Sequence, residues 1–258
     1  MAETKDLTFW EHLDVLRGGI IRCLIAVAVC AVGAFLLKDQ LFALVLGPQQ
    51  PDFLTYRLLR RLSPDYTFTP IVIINTGLAQ QFIIHMRVAL AVGALCVSPY
   101  ILYEAVRFVS PALYPNEREA SLPAVIAGYV MFLLGMAVAY FLIFPFTFRF
   151  LGTYQVADAV ENLISLDSYI STLLVLCLLM GVLFELPVLC WLLARLGLLT
   201  AAPMTKYRKH AFVAIMVLAA VITPTGDIFT LSLVTLPVYV LYEAGICVVK
   251  RVEKKKIA

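Results

Sequence analysis

Long apolar runs alternate with short polar connectors along this chain, a pattern typical of a membrane protein with several spans. Six runs are candidate transmembrane helices: 20–37, 88–106, 122–144, 169–193, 211–222 and 228–242. A straight helix needs about 20 residues to cross the hydrocarbon layer. The first four runs reach or approach that length, and the last two are short and need shelter from neighbouring helices or a thinner bilayer. The pattern predicts an all-α membrane protein, a six-helix bundle whose last two helices are short.

The composition supports this class and indicates a single integral membrane domain over residues 1–258. The chain is 62% hydrophobic and 14% charged, against about 45–50% and about 25% in typical soluble domains. No polar segment between the runs is long enough to bury a core of its own. Residues 1–11 are polar and lead to no cleavage site of small residues, so we expect the first run to remain as a signal anchor.

The distribution of basic residues predicts the orientation of the chain in the membrane. With the N-terminus in the cytoplasm, 14 of the 20 lysines and arginines lie on the inner side and 6 on the outer side. Cytoplasmic connectors are enriched in basic residues, so we expect both termini in the cytoplasm. A cluster from Arg57 to Arg61 is an exception, and it lies in the long outer loop 38–87. Four prolines in that loop favour a folded cap, with one short helix at Leu54–Leu62.

Acidic residues inside apolar runs are candidates for function, because each is costly within a bilayer. Glu185 lies in the middle of the fourth run, in GVLFELP, where a charge costs on the order of 2.5–3.5 kcal/mol. Pro187 also leaves a backbone carbonyl without its helical donor one turn earlier. We favour a buried polar patch that meets a partner helix or the substrate; the alternative is a glutamate near the membrane surface. Glu104 and Glu243 lie near predicted cytoplasmic ends, which favours an interfacial position.

The connector FVSPALYPNER, residues 108–118, is unusual for a link between two spans. It holds two prolines and two aromatic residues, and two carboxylates, Glu117 and Glu119, flank Arg118 at its end. A carboxylate accepts the planar fork of a guanidinium in a bidentate geometry that lysine cannot reproduce. A fixed acidic pair at the membrane surface would therefore suit a substrate that carries paired arginines.

Common catalytic chemistries find little support in the sequence. The three histidines and six cysteines show no metal-ligand spacing, and the cysteines all lie in apolar runs, where they are typical small core residues. There is no phosphate-binding loop, no dinucleotide fingerprint and no glycine-flanked serine of a membrane protease. We expect no metal, no cofactor, no nucleic acid and no enzymatic activity.

Taken together, these segments resemble TatC, the polytopic receptor subunit of the twin-arginine protein translocase. The resemblance runs from Phe9 to Glu243 in family order. Its motifs are HLDVLR at 12–17, Pro48, SPYILYEAVRFVSPALYPNER at 98–118, LGMAVAYFLIFP at 134–145, FELPV at 184–188, ITPTGD at 222–227 and LPVYVLYE at 236–243. The block at 98–118 is the most specific of them.

The resemblance implies a cupped bundle in the bacterial inner membrane that binds twin-arginine signal peptides at its cytoplasmic face. It also implies single-span partners of the TatA and TatB type, self-association in a lipid-embedded receptor complex, and export of folded proteins driven by the proton-motive force. Family roles carry over to matching positions. They imply signal-peptide binding by Glu117, Phe108, Leu16 and Arg17, intramembrane polar or partner contacts by Glu185 and Asp227, and a functional outer-loop residue in Pro48.

Three departures from the family pattern bear on these roles. Val15 replaces a glutamate in HLxELR, Leu231 falls where a glutamine often seats the partner, and Glu104 stands where glutamine is frequent. A rival hypothesis from another class is a small secondary transporter in which Glu185 and Glu104 carry protons or cations. It predicts solute flux by the purified chain alone. The chain shows no obvious internal repeat of the kind such transporters often have.

Overall fold

The computed structural model describes residues 9–63, 68–109, 121–157, 162–223 and 226–257. In these ranges the chain is almost entirely helical, which confirms the all-α prediction. The α-helices are α1 (Phe9–Leu36), α2 (Lys38–Val45), α3 (Leu54–Leu62), α4 (Gln80–Val109), α5 (Ser121–Val138), α6 (Phe144–Thr153), α7 (Leu166–Phe184), α8 (Leu186–Arg195), α9 (Ala201–Lys206), α10 (Arg208–Ile222) and α11 (Ile228–Ile257). A 3₁₀ turn (Gly47–Gln49) follows α2, and a π-helical turn (Ala139–Ile143) joins α5 to α6.

Five helical stretches within the described ranges are long and apolar enough to cross a membrane: Leu13–Leu36, Gln80–Phe108, Pro123–Thr153, Leu166–Arg195 and Ile228–Lys255. They cover five of the six predicted runs to within one residue, and α10, of 15 residues, contains the short run 211–222. The structure corrects the prediction that the last helix is short. Helix α11 has 30 residues and continues well past 242, because Ile246, Val249 and Val252 keep an apolar face buried against α8 and α9.

The bundle has two ends, which the pairing of α1 with α4 defines. Arg22 in the middle of α1 contacts Glu104 near the end of α4, and Phe35 near the end of α1 stacks on His85 near the start of α4. The two helices are therefore antiparallel. We call the end with the start of α1 and the end of α4 the proximal end, and the opposite end the distal end.

Glycines allow the helices to approach closely, as is common where apolar side chains face lipid. A Cβ atom built on Gly93 of α4 would lie 2.7 Å from the Ala31 backbone nitrogen of α1. On Gly135 of α5 it would lie 2.8 Å from the Phe184 side chain of α7, and closer still to the Met180 carbonyl oxygen. These two contacts fix the spacing of α1 with α4 and of α5 with α7.

Prolines interrupt the helical hydrogen bonds at several levels of the bundle, among them Pro99 in α4, Pro187 in α8 and Pro237 in α11. In α4, Pro99 cannot donate to the Leu95 carbonyl, which accepts a hydrogen bond from the Ser98 hydroxyl at 2.7 Å instead. In the fourth run, Pro187 accompanies a break that separates α7 from α8 at Glu185. This break lies at the level where the sequence predicted added backbone polarity.

A folded cap covers the distal end, as the prolines of loop 38–87 predicted. Helix α3 occupies Leu54–Leu62, the range expected from sequence. The cap is larger than predicted, because it also includes α2, the 3₁₀ turn and a two-residue parallel strand pair, β1 (Ile73–Ile74) with β2 (Ile164–Ser165). Tyrosine hydroxyls attach α2 to the bundle: Tyr140 donates to the Leu44 carbonyl at 2.6 Å and Tyr169 to the Val45 carbonyl at 3.0 Å.

Candidate functional site

A groove of about 400 Å³ opens at the proximal end between α1 and α4. Helix α1 contributes Val15, Leu16, Gly19, Ile20, Cys23, Leu24 and Val27, and helix α4 contributes Ile101, Glu104, Ala105, Arg107 and Phe108. The lining is apolar along most of its length and carries charge near Glu104 and Arg107. Such a surface can hold an extended or helical apolar segment and meet a polar group at one level.

Glu104 carries most of the polar contacts in this groove. Its carboxylate accepts hydrogen bonds from Arg22 Nε at 3.2 Å and Nη2 at 3.0 Å, and from the Tyr100 hydroxyl at 2.8 Å. Arg107 Nη1 lies 3.8 Å away. The Glu104 side chain is 11% exposed, so the bidentate pair with Arg22 joins α1 to α4 in a partly desolvated setting.

Gly19 makes room for this carboxylate. A Cβ atom at that position would lie 3.3 Å from Glu104 Oε2, tighter than most real contacts. The sequence pattern placed Glu104 at an interfacial position and did not predict its pairing with Arg22. The sequence did contain a hint of this pairing. Arg22 lies two residues after the start of run 20–37, and Glu104 lies two residues before the end of run 88–106. Both of these ends are predicted to be cytoplasmic.

The residues predicted to bind a signal peptide divide into three groups. Leu16 and Phe108 line the same groove, on α1 and α4 respectively. Arg17 is exposed on α1 beside it. Glu117 lies outside the described residues, as does the rest of the connector from 110 to 120.

Glu185 lies away from the groove, at the break between α7 and α8. Its Oε2 atom faces Gly128 of α5, where a Cβ atom would come within 2.9 Å. Its Oε1 atom is buried and has no hydrogen-bond partner among the described residues. A buried acceptor without a partner is costly, so this carboxylate is suited to meet a donor from outside the chain.

The other two predicted residues lie at the distal end and have clear structural roles there. Asp227 precedes α11, and its Oδ1 atom accepts a hydrogen bond from the Thr230 backbone N–H at 2.7 Å, the geometry of a helix N-cap. Gly226 before it adopts a φ of +59°, which favours glycine. Pro48 is buried in the 3₁₀ turn, and its carbonyl accepts a hydrogen bond from the Tyr56 hydroxyl at 2.9 Å.

A second arginine–glutamate–tyrosine cluster joins α10 to α11. Glu243 accepts hydrogen bonds from Arg208 Nη2 at 2.7 Å and from the Tyr239 hydroxyl at 3.2 Å. The surrounding sequences are alike, YILYEA at 100–105 and YVLYEA at 239–244. In both cases the tyrosine precedes the glutamate by one helical turn, and the arginine comes from the preceding long helix. This local resemblance was not recognised from the sequence.

Comparison with known proteins identifies the family. The model of the family "Sec-independent protein translocase protein (TatC)" matches residues 11–237. This chain belongs to the TatC family. TatC of Deinococcus radiodurans is 34% identical over 95% of this chain and 86% of its own length. TatC of Escherichia coli K12 is 31% identical over 91% of this chain and 85% of its own length.

The fold agrees with solved TatC structures. A crystal structure described as the twin arginine translocase receptor TatC superimposes with a TM-score of 0.76 at 30% identity. The match covers 94% of this chain and all of that one. Together with the five long apolar helices, the family makes this chain a multi-pass protein of the bacterial inner membrane and a component of a protein translocase.

Proposed function

We propose that this chain is the receptor and scaffold subunit of a twin-arginine translocase and that it is not itself an enzyme. The observation that carries the proposal is the groove that Leu16 and Phe108 line, in a chain that matches the TatC family over most of its length. The family match supports this function over a secondary transporter. In addition, Glu104, an ion carrier in that alternative, is engaged by Arg22 and Tyr100.

In this proposal the proximal end faces the cytoplasm, and both termini lie there. The excess of basic residues, 14 against 6, supports this orientation. The last turns of α11 are part of that excess, with Lys250, Arg251, Lys254 and Lys255 beyond the predicted run 228–242. The groove is then accessible to signal peptides before export.

The paired arginines of the signal bind at Glu117, and the apolar part of the signal lies in the groove. Helix α4 ends at Val109, so the connector that carries Glu117 begins beside Phe108 at the groove. An exposed arginine–carboxylate pair contributes only about 0–1 kcal/mol. Selectivity therefore needs partial desolvation, which Phe108 and Leu16 supply from the two walls of the groove. Arg17 follows Leu16 on α1 and is exposed.

Photocrosslinking tests this assignment directly. A photoreactive residue replaces Val15, which lines the groove, in inverted membrane vesicles that contain the full complex. We expect adducts with a signal peptide bearing Arg-Arg and few with its Lys-Lys counterpart. The matched control is the same probe at Val29, which is 67% exposed on α1 outside the groove lining. Equal adducts with both peptides at Val15, or none, would exclude the groove as the receptor site.

The partners in this proposal are single-span subunits of the TatA and TatB type, together with further copies of this chain and lipid. Glu185 supplies a contact for a partner helix, because its buried Oε1 atom has no donor among the described residues. Asp227 and Pro48 act from the distal end, through the start of α11 and the shape of the cap. Export of folded proteins is driven by the proton-motive force, without nucleotide.

Glu185→Ala is expected to weaken partner binding, whereas Glu185→Gln should retain most of it, because glutamine keeps an acceptor at that level. An interhelical hydrogen bond in a membrane contributes about 0.6–2 kcal/mol, so its loss should lower partner affinity about three- to thirtyfold. Co-purification of the single-span partner from mild detergent measures the effect. Val182→Leu is the control, since Val182 is 60% exposed nearby on α7. Undiminished recovery of the partner with Glu185→Ala would contradict this role.

A further inference from the structure

Helix α3 of the distal cap has three distinct faces. Thr55 and Tyr56 form the buried face. The other two faces are exposed: a stripe of leucines one turn apart, and a stripe of arginines beside it. They consist of Leu54, Leu58 and Leu62, which are 61%, 58% and 76% exposed, and of Arg57, Arg60 and Arg61. A short helix with one apolar and one basic stripe is typical of helices that lie in a membrane interface.

The contacts of α3 fix its level along the bundle. Pro145 cannot donate to the Phe141 carbonyl, and the Thr55 hydroxyl of α3 donates to that carbonyl instead. Phe53, at the start of α3, stacks on the Phe141 ring with centroids 5.6 Å apart. Helix α3 is thus held against the π-helical turn between α5 and α6.

The length of the apolar stretch that contains this turn relates it to the distal edge of the hydrocarbon layer. The apolar stretch of α5 and α6 begins at Pro123, and about 20 residues span the layer, which brings the chain to about Leu142. Phe141 and Leu142 are 40% and 48% exposed, as expected of side chains that face lipid. The apolar stretch of α1 also ends at the cap, since it stops at Leu36 and α2 begins at Lys38.

Charge decides which partner suits this surface. Arg60 bonds within the cap, to the Pro51 carbonyl at 2.7 Å and to Asp52 at 3.4 Å. Arg57 and Arg61 form no ion pair in the part of the chain that the structure describes. They flank the exposed leucines on α3. Two available guanidinium groups beside an apolar stripe complement a layer of anionic headgroups over acyl chains.

We propose that α3 lies in the distal membrane interface, with Leu54, Leu58 and Leu62 among the upper acyl chains and Arg57 and Arg61 on acidic phospholipid headgroups. In this arrangement the lipid surface holds α3 in place. Helix α3 in turn stabilises the π-helical turn through the hydrogen bond from Thr55 to the Phe141 carbonyl. This arrangement gives a function to the basic cluster from Arg57 to Arg61, which was the exception to the excess of basic residues on the inner side. The inference is independent of signal-peptide binding.

Depth-dependent fluorescence quenching tests the position of α3 in the full-length protein. Trp10 and Trp191 are replaced by phenylalanine, a single tryptophan is introduced by Leu58→Trp, and the protein is reconstituted into phosphatidylcholine vesicles. Lipids brominated in the upper acyl chain should quench this tryptophan, and aqueous iodide should not. The matched control is Val156→Trp, at a position 89% exposed beyond α6, which should show the opposite pattern. Iodide quenching at both positions would overturn the proposal and favour a protein partner for this face.

Lipid preference tests the arginines. Brominated phosphatidylglycerol should quench the tryptophan at position 58 more than brominated phosphatidylcholine at equal mole fraction, since each basic residue near a surface can enrich anionic lipid by about fivefold. Arg57→Gln combined with Arg61→Gln should remove the preference but leave acyl-chain quenching. Both arginines are exposed, so the fold should tolerate these changes. Equal quenching by the two lipids with both arginines present would exclude headgroup binding.

Discussion

Glu117→Ala is expected to abolish export of proteins with twin-arginine signals while the chain remains in the membrane. The substitution removes the carboxylate that accepts the guanidinium pair. Loss of one partner from a desolvated, hydrogen-bonded ion pair costs about 2–5 kcal/mol, which lowers binding by at least about thirtyfold. Glu117 lies outside the described residues, so this expectation rests on its sequence block and on the groove beside which that block begins.

Export of a folded reporter measures the effect, in a bacterial strain that depends on this chain and its partners for the pathway. Immunoblotting of membranes shows whether the variant accumulates normally. Asp39→Ala is the control, because Asp39 is an exposed acidic residue in the distal cap. Normal export by Glu117→Ala would count heavily against the receptor assignment. Loss of the variant from the membrane would instead assign Glu117 a role in folding and contradict this prediction.

The helical architecture was largely predictable, because the bilayer sets the length of an apolar helix directly. The ends of the helices were less predictable. Helix α4 begins at Gln80 and α6 continues to Thr153, well outside the predicted runs 88–106 and 122–144, because a helix does not stop where the bilayer does. For α11, the apolar pattern becomes one-sided after 242, and burial against α8 and α9 keeps it helical.

The sequence predicted which residues belong to the candidate site, but it did not predict how they are arranged in space. Leu16 and Phe108 were assigned from family motifs far apart in sequence, and packing of α1 on α4 brings them to one groove. The Arg22–Glu104 pair depends on which helices are neighbours and on the space beside Gly19. Hydrophobic periodicity carries neither kind of information. The roles of the site residues in binding remain predictions.

Gly135→Ala is expected to destabilise the bundle strongly, since a single methyl group would meet atoms that cannot move aside. The added Cβ would lie 2.8 Å from Cβ and Cγ of Phe184 and closer still to the Met180 carbonyl oxygen. A flexible side chain could rotate away, but a helix backbone cannot. Overpacking of this kind costs about 1–3 kcal/mol or more, and we expect the upper part of that range because α5 and α7 must separate. The same separation would draw Gly128 away from Glu185 and weaken partner binding as well.

Gly33→Ala is the matched control for this prediction. Gly33 also lies within a membrane helix, but apart from its chain neighbours and its own helix backbone no described atom lies within 4 Å of a Cβ built there. This substitution should therefore be neutral or slightly stabilising through lower chain entropy. Thermal unfolding in mild detergent, followed by the loss of the monodisperse peak in size-exclusion chromatography, compares the two variants with the parent chain. A lower midpoint for Gly135→Ala alone is the expected result. Equal midpoints for both variants would mean that α5 and α7 are not packed as closely in the membrane protein as this backbone contact requires.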